Sequence, residues 1–235
     1  MKILALELST ARGSIFSPDD DVDPSAALGT SFEREWANDR KHSGIFFENL
    51  AQLVKELGKP EKIIVGLGPG SYAGTRIAIS AAIGLQASGG TGSGPSAKTS
   101  GRHPPRRAGF GRSSTTFGVR LVGYPSICAI ETEAGDYCMI GDARRSSFYF
   151  ARIRAHDLAE GPTLLSEAEL KEKMDTVKED MSIFCSEPLP QFERAVLRYP
   201  SAKILAKLAR DPHRAFALPP LEPMYLREPH ITLPR

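Results

Sequence analysis

Four glycines, Gly66, Gly68, Gly70 and Gly74, stand between a β-branched run, Ile63 to Val65, and a segment of helical composition. A glycine turn at a strand-to-helix junction can cradle phosphate on free backbone N–H groups. This one lacks the lysine that a Walker A loop places after its glycines. Gly68-Pro69-Gly70-Ser71-Tyr72-Ala73 does fit G-x-G-x-x-A, the dinucleotide fingerprint. That chemistry also needs an acid about 20 residues on to hold a ribose. No Asp or Glu occurs between Glu61 and Glu131, and Pro69 removes one amide donor. The other reading is structural: the glycines let a strand turn closely into a helix that something else covers.

The remaining reactive side chains form no familiar constellation. His42, His103, His156, His213 and His230 are far apart, and none pairs with another at i, i+4. Cys128, Cys138 and Cys185 show no C-x-x-C spacing. Gly68-Pro69-Gly70-Ser71 lacks the G-x-S-x-G form of a nucleophile elbow. Asp142, Arg144 and Arg145 sit in one polar turn, which can grip an anion or form a solvated salt-bridge network. The sequence thus predicts no catalytic, cofactor-binding or metal-binding residue. Packing signals are abundant, which favours a binding or scaffold role over an enzyme.

The elements that hold these residues alternate between strand and helix. Ile3 to Leu6 reads as a buried strand, Ser14 to Phe16 as a second, and Ala27 to Trp36 as a third, giving a meander. Ser43 is placed to cap a helix in which Phe46, Leu50, Leu53, Val54 and Leu57 recur at helical spacing; Gly58 and Pro60 end it. Phe47 and Ala51 widen its apolar face. Ile63 to Val65 is a central strand. Thr75 to Gln86 is a second helix, apolar on nearly every side, and so buried on more than one. Phe47, Ala51, Val54, Ile79 and Ile83 are the candidates for a face shared with another helical pair.

Ala87 to Gly118 is rich in Ser, Gly and Thr, and its charges are all basic. It reads as a disordered insertion. Val119 to Val122 restores a strand, and Ser126 to Glu133 reads as a short helix. Tyr137 to Ile140, a polar turn, and Ser147 to Ala151 repeat the strand–turn–strand pattern of the N-terminus, which points to an internal duplication. Helices over Ser166 to Met174 and Ser201 to Arg210 flank a buried strand, Ser182 to Cys185. The division expected is residues 1–125 and 126–235, two α/β halves.

With 41% apolar and 25% charged residues and a net charge of +2, the chain has the composition of a soluble globular protein. The N-terminal apolar run is too short for a signal peptide, and no run approaches the roughly 20 apolar residues of a membrane span. A cytoplasmic protein is expected.

Four motifs in order resemble the TsaB (YeaZ) family: HSGIFFENLAQLV, VGLGPGSYAGTRIAISAAIGL, DARRSSFYFA and PMYLR. The resemblance implies an α/β protein of the actin-like, sugar-kinase and Hsp70 superfold, with duplicated ribonuclease H-like halves. It implies a non-catalytic partner of TsaD, which threonylcarbamoylates adenosine 37 of tRNAs reading codons that begin with A. TsaE would be met through the complex and tRNA indirectly, with no cofactor and no membrane. Phe47, Ala51, Val54, Ile79 and Ile83 would then meet TsaD or a second copy of this chain, and Gly68, Pro69, Gly70 and Gly74 would be a structural turn. Where the family has Asp-Thr-Ser-Thr after its first strand, this chain has Glu7-Leu8-Ser9-Thr10. The competing reading is an active kinase or peptidase-like hydrolase of the same superfold, with Glu7 and Asp142 as its acids.

Overall fold

The computed structural model describes residues 1–18, 31–38, 43–88 and 118–227. Most of the basic insertion expected over 87–118 lies outside the described residues, as does the start of the expected third strand. The first sheet contains β1 (Ile3–Glu7), β2 (Arg12–Ser17), β3 (Phe32–Ala37), β4 (Lys62–Gly66) and β5 (Arg120–Tyr124), in the order β3-β2-β1-β4-β5. β1, β2 and β3 run antiparallel, while β4 and β5 run parallel to β1. The uninterrupted apolar runs of β1 and β4 suit strands covered on both faces. β3, with Glu33, Arg34 and Glu35, is charged and takes the edge.

Alternation along β1 and β4 divides two cores. Leu4, Leu6, Ile63 and Val65 face α1 (Ser43–Leu57) and α2 (Tyr72–Ser88), which bury Phe46, Leu50, Leu53, Ala78, Ile79 and Ala82 against them. Ile3, Ala5 and Ile64 face the other way, into a core shared with the second sheet.

That second sheet holds β6 (Asp136–Asp142), β7 (Ser147–Arg154), β8 (Asp157–Ser166), β9 (Ser182–Cys185) and β10 (Ala195–Leu197), in the order β10-β9-β6-β7-β8. Counted from its own first strand, each sheet has the order 3-2-1-4-5. The internal echo in the sequence therefore has a topological counterpart. Tyr137, Met139 and Phe184 enter the shared core; Ile140, Phe150 and Ile183 face α3 (Glu167–Asp175) and its buried Leu170 and Met174. A capping box starts α3: Ser166 Oγ accepts the Glu169 N–H, and the Glu169 carboxylate accepts the Ser166 N–H.

The last helix, α4 (Ala202–Leu208), follows the second sheet but packs on the first, with Ala202, Leu205 and Ala206 in the shared core. Lys62 holds it there. Its Nζ donates to the Ala209 carbonyl at 2.6 Å, at the helix C-terminus, where a cation is favoured.

Several elements differ from expectation. The helix expected over Ser126 to Glu133 is only a 3-10 turn, Ser126–Cys128, after which Ile130 bridges Pro200. Burial of Ile127 to Ile130 in the shared core outweighs local helical preference. β8 and β10 are unexpected strands. β8 is largely exposed and interrupted by Gly161-Pro162, so it lacks the usual alternation, and pairing with β7 defines it. α2 starts at Tyr72, ahead of the expected Thr75, because Ser71 accepts the Gly74 N–H through its hydroxyl.

Candidate functional site

The glycine turn is seated on the first hairpin. A Cβ at Gly70 would run into the Ser9 carbonyl oxygen, and one at Gly74 into the Leu8 carbonyl oxygen. Only a residue without a side chain allows α2 to start this close to the β1–β2 turn. Three amides of the turn are already engaged. The Gly68 N–H donates to Ser126 Oγ at 2.9 Å, the Ser71 N–H to the Ser9 carbonyl at 2.5 Å, and the Gly74 N–H to Ser71 Oγ at 3.2 Å. Gly68, Pro69, Gly70 and Gly74 all lie in this strand-to-helix junction, and close approach of the hairpin requires a glycine at Gly70 and Gly74.

Three of the motifs meet around one cleft of about 560 Å³. Ser71 and Thr75 line it from the glycine turn and α2, Asp142 and Arg144 from the β6–β7 turn, and Met224 and Tyr225 from the C-terminal segment. The Met224 N–H donates to the Leu67 carbonyl at 2.7 Å, and the Tyr225 ring lies 5.4 Å from that of Tyr72. Tyr72 also hydrogen-bonds Arg76, whose guanidinium lies over its ring. Sequence reasoning placed no site at this aromatic pair, because Tyr72 and Tyr225 are 153 residues apart in number and only folding joins them.

On the opposite wall the chain is held in an uncommon conformation. Arg144, Arg145 and Ser146 all have left-handed backbones, with φ of 65°, 55° and 54°. Asp142 fixes this turn: its carboxylate accepts the Arg144 N–H at 2.6 Å and pairs with the Arg144 guanidinium at 3.3 Å. Glu187 accepts the Asp142 N–H at 2.6 Å. Burial pushes the Glu187 carboxyl above the usual carboxylate range, with Asp142 adding to the effect and the backbone bond and Arg144 opposing it.

Glu7 and Asp142, the two acids of the competing enzyme reading, are not brought together on this cleft. Asp142 lines it, whereas Glu7 is 0% exposed and is absent from the lining. Among the described residues no cluster of His, Cys, Asp or Glu has the arrangement of a metal site. All three cysteines are free and buried, and the His156 ring nitrogen pairs with the Cys128 carbonyl at 2.9 Å. His42, His103 and His230 lie outside the described residues.

The proposed partner face divides. Phe47 and Ile83 are 50% and 48% exposed, Ala51 is exposed, and Val54 is half-buried. Ile79 is a correction: it is 6% exposed and belongs to the core with Ala78 and Ala82. The outward stripe of α2 runs instead through Ala73, Arg76, Ser80, Ile83, Gly84 and Ala87. Apart from Arg76, both stripes are small or apolar, so periodicity alone could not choose the rotation. Ile45, 39% exposed at the start of α1, adds to the outward face and was not foreseen.

No family model and no curated protein matches the chain. Solved structures do. An uncharacterized protein with similarity to peptidase YeaZ, from Pseudomonas aeruginosa, is 19% identical; the match covers 96% of this chain and 99% of that one, with a TM-score of 0.61. YeaZ from Pseudomonas aeruginosa is 18% identical, with 89% and 91% covered and a TM-score of 0.59. At these identities the likeness is one of fold: the chain has a YeaZ-like arrangement of two mixed sheets and their helices.

Proposed function

We propose that this protein is a non-catalytic partner of TsaD in the threonylcarbamoylation of adenosine 37 of tRNAs that read codons beginning with A. TsaE would join through the complex, and tRNA would be met indirectly. Four sequence motifs and the YeaZ-like fold support the reading. The 3-2-1-4-5 strand order of both sheets supports a duplicated actin-like fold with halves at 1–125 and 126–235. The observation that carries it is the exposure of large apolar side chains on both α1 and α2: Ile45 and Phe47 on the first, Ile83 on the second, with Phe47 and Ile83 each about half exposed. Contiguous exposed apolar surface on a globular chain marks an interaction site. In this reading the outward residues of both helices meet the matching helices of TsaD, or of a second copy.

The kinase or hydrolase alternative gains no support from the cleft. Only Asp142 of its two acids lines the cleft, and the amides of Gly68, Ser71 and Gly74 are committed. The test is co-purification of the full chain with TsaD from the same cell, followed by size-exclusion chromatography. Ala51→Glu should abolish the complex while circular dichroism stays unchanged, because an unpaired charge in an interface costs several kcal/mol. Retention of the complex by this variant would sink the interface. ATP turnover by the purified chain alone that is lost in Asp142→Asn would revive the enzyme reading.

A further inference from the structure

Glu7 ends β1 with its side chain turned into the protein, 0% exposed. Its Oε1 accepts the Ser9 N–H at 2.7 Å, while Oε2 is buried without a hydrogen-bond partner. Oε2 occupies the space that a side chain at position 66 would need, so Gly66 on β4 makes room for it. A shorter acid would leave part of this space empty. A carboxylate here would have no cation to pair with and only the Ser9 N–H and the nearby hydroxyls of Ser9 and Ser126 to offset its burial.

The ionisable groups on the surrounding elements are engaged elsewhere. Arg12 of β2 pairs with Glu35 at 3.4 Å. Lys62, at the far end of β4, donates to Ala209. Arg76 of α2 bonds Tyr72. Lys203 of α4 lies at 4.0 Å from Glu33 and 3.9 Å from Glu131, and Lys207 is exposed. Ser14, opposite Glu7 on β2, accepts the Ala202 N–H. Cys128, beyond the Ser126 turn, is a buried thiol pushed up to about 12, so it stays neutral.

We propose that Glu7 is a buried proton site that makes the seating of α2 on the first hairpin depend on pH. The link is short. Glu7 fixes the Ser9 N–H, and the carbonyls of Leu8 and Ser9 are the seats for Gly74 and Gly70. The Ser9 carbonyl also receives the Ser71 N–H. A protonated Glu7 is neutral and fits. An ionised Glu7 gains by swinging towards water, which frees the Ser9 N–H and shifts both seats.

The sign follows from linkage. Burial raises the Glu7 carboxyl above its ordinary value of 4.5, against the opposing pull of Ser9 and Ser126. Between that value and the raised one the folded state holds more protons than the unfolded state, so stability falls as pH rises. Above the raised value the loss is complete and constant. Through α2 the effect reaches the face offered to a partner; that extension rests on the reading above, whereas the seating itself does not.

The experiment uses the full chain and Glu7→Gln, which keeps the shape and the Ser9 acceptor but cannot ionise. Hydrogen exchange is followed from roughly pH 5 to pH 8, corrected for intrinsic rates. In the wild type, opening of the segment from Leu67 to Ile79 should rise by up to about tenfold per pH unit, while α3 stays unchanged. In Glu7→Gln the same segment should show no such rise. Equal pH dependence in both proteins, or an equal rise in α3, would overturn the proposal. Infrared difference spectroscopy of the wild type keeps it testable if the variant does not fold. Because Glu187 is also raised, the spectrum is taken in Glu187→Gln as well: a protonated-carboxyl stretch that persists above pH 5 in that background supports a buried neutral Glu7, and its absence overturns the proposal.

Discussion

The two halves share a strand order but differ in what fills the gap between their fourth and fifth strands. In the first half, β4 and β5 are separated by α2, a 17-residue helix. In the second, β9 and β10 are joined by residues 186–194 with no helix at all. The outer face of the second sheet is instead closed by α3 and by Phe192, whose ring meets that of Phe148 edge to face at 5.0 Å. α3 is short and polar outside, with Glu167 and Lys171 paired across one turn. The first half therefore carries a helix pair with an apolar outer stripe, and the second half does not. Duplicated topology does not duplicate surface: burying one apolar stripe while exposing another needs a helix long enough to carry both.

Substitutions on α2 should expose this difference most strongly. Ile79→Glu puts a charge in the core beneath α2 and should destabilise the protein by about 3 kcal/mol or more, with a large fall in the denaturant midpoint. A variant that stays as stable as the wild type would show that α2 is rotated from the arrangement described. Gly74→Ala tests the seat of the same helix. The added methyl meets the Leu8 carbonyl, which cannot move far, and about 1–3 kcal/mol should be lost. Urea unfolding reads both, and a neutral Gly74→Ala would mean that the hairpin yields easily.

In the second half the expected effects are smaller. Ser166→Ala removes the hydroxyl that caps α3 and should lower stability by about 1 kcal/mol. The loss should be confined to α3 in hydrogen exchange, leaving α1 and α2 protected. The smallest effect on stability belongs to Ile83→Glu, at about 0.5 kcal/mol or less, because the residue is half exposed. Its effect on association should nevertheless be complete. A pull-down that still recovers TsaD from this variant would place the interface on other residues.

What the sequence determined by itself was the set of strongly periodic elements. The stripe of Phe46, Leu50 and Leu53, the buried runs of β1 and β4, and the approximate spans of α3 and α4 were all legible. These depend on local spacing and on groups a few residues apart. The tertiary structure decided the rest, where distant groups compete for one place. It turned Ile79 inward and Ile83 outward on a helix whose two stripes look alike. It flattened the expected helix after Ser126 into a turn inside the shared core. It created β8 from a polar, proline-broken stretch by supplying β7 as a partner. It moved α4 onto the opposite sheet, and it buried Glu7 away from the cleft that Asp142 lines. Burial and long-range hydrogen bonds fix these outcomes, and neither is a property of a short window of sequence.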